Sequence, residues 1–192
     1  MTRYRFGRAE STAGRGESKL GVMADFQLAV YFQTLARYNT IVNERLYMAC
    51  SELPDDEYRR ERAGSFRSIH ATLNHLLLAD RIWMDRFTQG GVLGTPALDT
   101  VLYDDFDLLR AARVDEDRRI EDFMNGLDDG FLLRDIHYVN SRGVSCSDPA
   151  PLILGHFFNH QTHHRGQIHV MLSQTSVPRP NFDLHRAIRP TA

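Results

Sequence analysis

The chain has 192 residues, of which 42% are hydrophobic and 25% charged, and its formal net charge is -2 at pH 7. These values are typical of one soluble globular domain that can bury a sizeable core. The balanced charge excludes the basic field of a nucleic-acid-binding protein, and no apolar run approaches the roughly 18 residues that cross a membrane.

The first 22 residues are rich in Arg, Gly and Ser and lack the apolar segment of a secretory signal. We predict that residues 1–22 form a flexible N-terminal extension, with Met23 as a candidate translational start. Residues 23–192 are then a single helical domain. The cysteines, Cys50 and Cys146, fit no metal-binding or redox spacing, which indicates reduced thiols and a cytoplasmic protein.

Two helices are predicted in the first half of the chain. From Met23 to Ala49, apolar residues recur every three to five positions, as on one face of a helix, and Pro54 starts a polar connector. The next run, from Ser68 to Phe87, is apolar on more than one face. We expect several neighbouring elements to bury this second helix.

Two further helices are predicted in the second half. The run over 106–127 is amphipathic, whereas residues 131–149 lack helical periodicity and suggest a short hairpin or irregular excursion. A continuous helical run follows over 152–172, and two prolines beyond it leave a coil-like tail. The sequence therefore predicts an all-α fold, a four-helix up-and-down type bundle with a short irregular or hairpin excursion before the last helix.

Five of the nine histidines fall between positions 156 and 169. Residues four apart on a helix differ by about 40° in direction, so His160 and His164 stack on one face, one turn apart. Two imidazoles at this separation can bind one ion, as in helical HxxxH zinc sites. The same face carries apolar residues, and His75 on the second buried helix offers a third imidazole.

Each of these histidines also has an interpretation without a metal. His75 alone would be a core histidine bonded to a backbone carbonyl, and a single HxxxH pair is a weak signal. A further alternative is that the three histidines pair with buried acids. Together they favour one divalent metal ion, because adjacent imidazoles in an apolar interior need partners for their nitrogens.

The strings SIHATLNHL and ADRIW, at 68–76 and 79–83, resemble the second helix of the DinB family. The string HFFNHQTHHRGQ at 156–167 is similar to its fourth-helix motif, and LARYN with NERLY, at 35–39 and 43–47, resembles its first helix. The likeness covers roughly residues 23–183.

The resemblance implies a four-helix bundle in which His75, His160 and His164 hold a divalent ion such as zinc or nickel. Relatives of this kind include thiol-dependent S-transferases and a maleylpyruvate isomerase that use low-molecular-weight thiols, and homodimers are common among them. For this chain the resemblance therefore implies a small-molecule substrate, with a low-molecular-weight thiol as one candidate, and a homodimer. Neither nucleic acid nor a membrane is expected as a partner.

Three neutral imidazoles leave the ion an open position for water or substrate. The first hypothesis is therefore a metal-dependent enzyme of S-transferase, isomerase or hydrolase type, which activates a low-molecular-weight thiol or water against a small electrophile. The alternative is a non-catalytic stress-response protein with a structural ion. Structural zinc sites usually have four protein ligands, so a fourth ligand would favour the alternative.

No catalytic residue is assigned from the sequence. Six polar residues near the three histidines are candidates for orienting the ligand imidazoles or contacting the substrate. They are Asn39, Asn43, Asp80, His156, His163 and Gln167.

Overall fold

The computed structural model describes residues 27–89 and 96–190, so the predicted extension 1–22 and Met23 lie outside the described residues. In chain order the described elements are α1 (Leu28–Ser51), α2 (Asp55–Arg59), α3 (Ile69–Gln89), α4 (Phe106–Asn125), α5 (Asp129–Leu132), β1 (Asp135–Val139), β2 (Ser145–Pro149), α6 (Ala150–Leu172) and α7 (Leu184–Ile188). The fold is mostly helical, as predicted, and β1 and β2 pair as one antiparallel hairpin. No helix in the described ranges is long and apolar enough to cross a membrane.

Local sequence explains where several helices begin. The Asp105 carboxylate accepts a hydrogen bond from the Leu108 N–H at 2.9 Å and caps α4, and Asp128 caps α5 through the Phe131 N–H at 2.7 Å. Pro151 lies in the first turn of α6, where a missing N–H leaves no helical hydrogen bond unmade. Pro151 thus favours the observed start of α6, the helix that carries most of the histidines.

The three short helices were not predicted. Each has only four or five residues, which is too short for hydrophobic periodicity to be seen. The tail, expected to be coil, forms α7 because Ala187 packs into a small cluster with Tyr38 and Val42 of α1. The Tyr38 hydroxyl also donates to the Phe182 carbonyl at 2.6 Å and fastens the segment before α7.

The long helices do not alternate in direction as an up-and-down order requires. Asp80 contacts Arg113 and Asp85 contacts Arg119, so residue numbers rise together along α3 and α4 and these helices run parallel. The connection over residues 90–105, at about 3.3 Å per residue, is long enough to return along a helix of about 30 Å. The expected alternation is therefore wrong at this step, because a connection of this length permits a parallel return.

The core consists of an apolar cluster, a buried polar layer and a second apolar cluster. All four long helices contribute to both apolar clusters. The residues between the two clusters form what we call the polar layer, which is made of Asn39, Asn43, Asp80, Arg113, Asp117, Gln161 and Arg165. His160 and His164 immediately precede two of these residues, so the candidate site lies beside the polar layer.

Candidate metal centre

The structure brings together the side chains of His75 on α3 and of His160 and His164 on α6. Their ligand nitrogens all lie within 4.8 Å of one another. The Nε2 atoms of His75 and His160 are 3.2 Å apart. Two nitrogens that each bind one tetrahedral zinc ion at about 2.0–2.1 Å are about 3.3 Å apart, so this pair fits a shared ion.

Hydrogen bonds to the opposite ring nitrogens orient two of the imidazoles. His75 Nδ1 donates to the Leu98 carbonyl at 2.8 Å, and His164 Nδ1 donates to the Gln167 side-chain oxygen at 3.1 Å. With the proton on Nδ1, each ring keeps its Nε2 lone pair available for a metal. His75 and His164 could therefore bind a divalent ion without a change of tautomer.

The surroundings keep all three imidazoles neutral. Burial lowers the pKa of His75, despite the opposing effect of its hydrogen bond to Leu98. Burial, followed by the neighbouring His164 and His75, lowers the pKa of His160 to about 3. Burial and the nearby His75 lower the pKa of His164 to about 4. At neutral pH the site thus presents three unprotonated imidazoles, the form that binds metals.

Phe66 closes one side of the site. Its ring stacks on His75 with centroids 3.8 Å apart, and its centroid lies 5.5 Å from that of His164. The loop before α3 lies close to α6. A Cβ placed on Gly64 in this loop would lie only 2.5 Å from Met171 Cε. Phe66 therefore shields the imidazoles from water on this side.

A pocket of about 290 Å³ opens on another side of the same histidines. His75 and His160 form one part of its wall, and Trp83 and Tyr138 form another. His156 also lines the pocket, with its ring centroid 6.1 Å from that of His160, and it is not part of the three-histidine cluster. The site thus has three converging imidazoles and an adjacent space of the size that holds a small molecule.

Two of the six polar candidates lie next to one of the three converging imidazoles. Gln167, which accepts from His164, donates through its amide nitrogen to His163 Nε2 and to Ser65 Oγ, both at 3.0 Å. Gln167 is partly buried and His163 is exposed. Gln167 therefore connects His164 to the loop that carries Phe66.

Three other candidates, Asn39, Asn43 and Asp80, lie in the polar layer. Both asparagines donate to Asp117 Oδ1, at 3.2 and 2.9 Å, and Asp80 accepts from Arg113 at 2.6 Å and from Gln161. Their partners are thus residues of this layer rather than the three histidines. Burial raises the pKa of Asp80 to about 7, against the lowering effect of the Arg113 charge.

Several residues around the site were not anticipated from the sequence. Phe66 and Leu98 belong to connecting segments without hydrophobic periodicity. The acceptor at Leu98 is a backbone carbonyl, whose role cannot be predicted from the residue type. Asn140 and Ser141 reach the pocket from the hairpin turn. In the sequence, only the lack of helical periodicity over 131–149 indicated a non-helical element before the last helix.

Replacing Gln167 with Ala is expected to weaken metal affinity about 10- to 100-fold, because His164 loses the acceptor that holds its ring. Competition between the protein and a chromogenic chelator for Zn²⁺ measures this change. Gln174→Ala is the matched control, since Gln174 is exposed beyond the end of α6. Equal affinities for wild type and Gln167→Ala would show that this contact does not orient the ligand.

Comparison with known proteins shows the family to which this chain is related. The family model described as the DinB family matches residues 23–191. The chain is also 27% identical over 161 residues to Protein DinB of Bacillus subtilis (strain 168), an alignment that covers 79% of this chain and 87% of that protein. A match of this extent includes every long helix and all three converging histidines. The chain belongs to the DinB family.

Proposed function

We propose that this protein is a metal-dependent enzyme that activates a low-molecular-weight thiol or water against a small electrophile, in an S-transferase, isomerase or hydrolase type of reaction. The observation that carries the proposal is the convergence of three neutral imidazoles beside a pocket. His75, His160 and His164 would hold one divalent ion, zinc or nickel. Such an ion supplies Lewis acidity and lowers the pKa of a thiol or water that it binds.

The remaining side chains would position the reactants. The Leu98 carbonyl and Gln167 hold the rings of His75 and His164, so that their lone pairs need no reorientation on binding. Phe66 would exclude water from one side, and the substrate would enter from the pocket. His156 lines that pocket outside the three-histidine cluster and would contact the substrate.

The contacts of the buried acids support a metal over a purely hydrogen-bonded histidine cluster. Asp80 and Asp117 pair with Arg113, at 2.6 and 3.0 Å. His75 and His164 instead hydrogen-bond to a carbonyl and an amide through Nδ1. The Nε2 atoms of His75 and His160 lie 3.2 Å apart, one nitrogen of His164 lies within 4.8 Å of the others, and an ion would satisfy all three rings.

An assay on metal-loaded protein tests the proposed activity. Protein loaded with Zn²⁺ or Ni²⁺ is incubated with small thiols and electrophiles, and thiol consumption and electrophile hydrolysis are followed with and without a chelator. We expect turnover that the chelator and His160→Ala both abolish. Stoichiometric metal without turnover, together with a large fall in melting temperature on chelation, would favour the structural role for the ion.

We also propose that the protein is a cytoplasmic homodimer. The dimer rests on the relatives that the motifs resemble, among which homodimers are common, and the location rests on Cys50 and Cys146, which are both free thiols. Light scattering coupled to size-exclusion chromatography measures the dimer directly. A mass of one 22.1 kDa chain at micromolar concentration would contradict it.

A further inference from the structure

Asn74, the residue before His75 on α3, has a buried side chain that holds part of the connection between α3 and α4. The residue is 1% exposed. Its Oδ1 accepts from the N–H groups of Leu102 and Tyr103, at 2.8 and 2.9 Å, and its Nδ2 donates to the carbonyls of Tyr103 and His70, at 3.1 and 3.2 Å. An asparagine amide offers two donor hydrogens and two acceptor lone pairs. All four are therefore used, and three of them fasten Leu102 and Tyr103.

The same connection carries the carbonyl that orients His75. The Leu98 carbonyl accepts from His75 Nδ1 at 2.8 Å, and Leu98 also lines the pocket beside the three histidines. A compact turn contains Leu98, because the N–H and the hydroxyl of Thr100 both donate to the Ala97 carbonyl, at 3.0 and 2.6 Å. Leu98 and Val101 are 42% and 47% exposed, so apolar burial does not fasten this turn. The orientation of the His75 ring therefore depends on how the turn is held.

We propose that Asn74 is a positioning residue of this site, which fixes the turn that contains Leu98 and so holds the His75 ring with its Nε2 lone pair available. Leu102 and Tyr103 are the first partly buried residues after the turn, and the Asn74 amide binds the backbone of both. This inference deepens the proposed function and depends on it only for the ion, because the hydrogen bond between His75 and Leu98 forms without one.

The protonation of the two His75 ring nitrogens tests the proposal in metal-free protein. Long-range proton–nitrogen correlation NMR distinguishes a ring nitrogen that carries a proton from one that does not, and the spectrum of His75→Ala assigns the signals. In wild type we expect the proton on Nδ1. In Asn74→Ala we expect signals averaged between the two tautomers, because the Leu98 carbonyl is no longer held within hydrogen-bond distance. Unchanged His75 signals in Asn74→Ala would overturn the proposal.

Metal affinity gives a second measurement. Competition between the protein and a chromogenic chelator for Zn²⁺ should show a roughly 10-fold weaker affinity in Asn74→Ala, the low end of the effect of losing a group that orients a ligand histidine. An affinity equal to that of wild type, in a protein that binds Zn²⁺, would contradict the positioning role.

Two variants are matched controls for both measurements. Asn43 is 2% exposed and donates to Asp117 in the polar layer, so Asn43→Ala removes an equally buried amide away from the connection. Arg59 holds the same connection on the surface, through the carboxylate and the carbonyl of Asp104 at 2.7 and 2.8 Å. Asn43→Ala and Arg59→Met should both keep the wild-type His75 signals and affinity. The same changes in Asn43→Ala as in Asn74→Ala would reduce the effect to general destabilisation and overturn the proposal.

Asn74→Asp keeps the test decisive if Asn74→Ala does not fold. A carboxyl oxygen at this position can still accept from the N–H groups of Leu102 and Tyr103, so His75 should keep its proton on Nδ1. Averaged His75 signals in the folded Asn74→Asp variant would overturn the proposal.

Elemental analysis of the same preparations separates this proposal from the proposed function. If the wild-type protein takes up no metal but the His75 signals change in Asn74→Ala as expected, the proposed metal-dependent activity fails and the positioning role stands. If the wild-type protein binds one ion per chain and neither measurement changes in Asn74→Ala, the positioning role fails and the metal centre stands.

Discussion

Replacing His160 with Ala is expected to reduce metal content from about one ion per chain to nearly none. His160 supplies one of three converging nitrogens, and its Nε2 lies 3.2 Å from that of His75. With one imidazole removed, two ligands remain, fewer than the three that catalytic zinc sites require from the protein. Elemental analysis of wild type and variant, each purified after expression with Zn²⁺ or Ni²⁺, measures the loss.

His169→Ala is the matched control for this experiment. His169 lies on the same helix, is partly buried and contacts Phe182 with ring centroids 5.4 Å apart, away from the three-histidine cluster. It should retain the wild-type metal content. Equal metal content in wild type and His160→Ala would contradict the three-histidine site, and a loss in His169→Ala alone would place the ion elsewhere.

Helical geometry was sufficient to predict that His160 and His164 lie on one face of the last helix. The spacing of His160 and His164 fixes their common face whatever the packing of the helix. His75 needed more, since nothing in its own neighbourhood says which helix faces it. Its place on a second buried helix offered it as a third imidazole, the resemblance to the DinB family implied the same residue, and in the structure His75 Nε2 lies 3.2 Å from His160 Nε2.

The sequence could not predict which polar residues belong to the site and which to the core. Asn39, Asn43 and Asp80 were candidates for contacts near the metal, and the structure places them in the polar layer with Arg113 and Asp117. A polar residue on a helix face looks the same in either environment. The two environments differ in the partner that the neighbouring helix provides, and that partner depends on the direction of the neighbouring helix.

Helix direction was itself the part of the fold that periodicity could not determine. A hydrophobic stripe shows which face of a helix is buried but not whether its neighbour runs parallel or antiparallel. The connection over residues 90–105 permits either order. In the structure, Asp80 pairs with Arg113 and Asp85 pairs with Arg119, and these contacts show that α3 and α4 run parallel.

We also expect the buried pair formed by Arg113 and Asp80 to contribute to the stability of the fold. Replacing Arg113 with Met is expected to lower the free energy of unfolding by about 3–5 kcal/mol at pH 8.5, because it leaves buried carboxylates without their counter-charge. Arg113 Nη1 lies 2.6 Å from Asp80 and its Nη2 lies 3.0 Å from Asp117, and all three side chains are at most 5% exposed. Urea unfolding followed by circular dichroism measures the loss. Arg118→Met is the matched control, since Arg118 pairs with Asp115 on the surface of the same helix and should unfold at nearly the wild-type urea concentration.

The loss in Arg113→Met should be smaller at pH 6 than at pH 8.5. Burial raises the pKa of Asp80 to about 7 in the wild-type protein, and Arg113 opposes that rise, so the variant holds its proton to a higher pH. A carboxyl whose pKa is higher in the folded than in the unfolded chain stabilises the fold at low pH, and that stability is lost as pH rises through the folded pKa. At pH 6 the Asp80 carboxyl is neutral in the variant and needs no counter-charge, whereas at pH 8.5 it approaches ionisation in a buried site. Adding Asp80→Asn to Arg113→Met should reduce the pH dependence, because the amide does not titrate, and a loss equal at both pH values would show that an uncompensated Asp80 is not its cause.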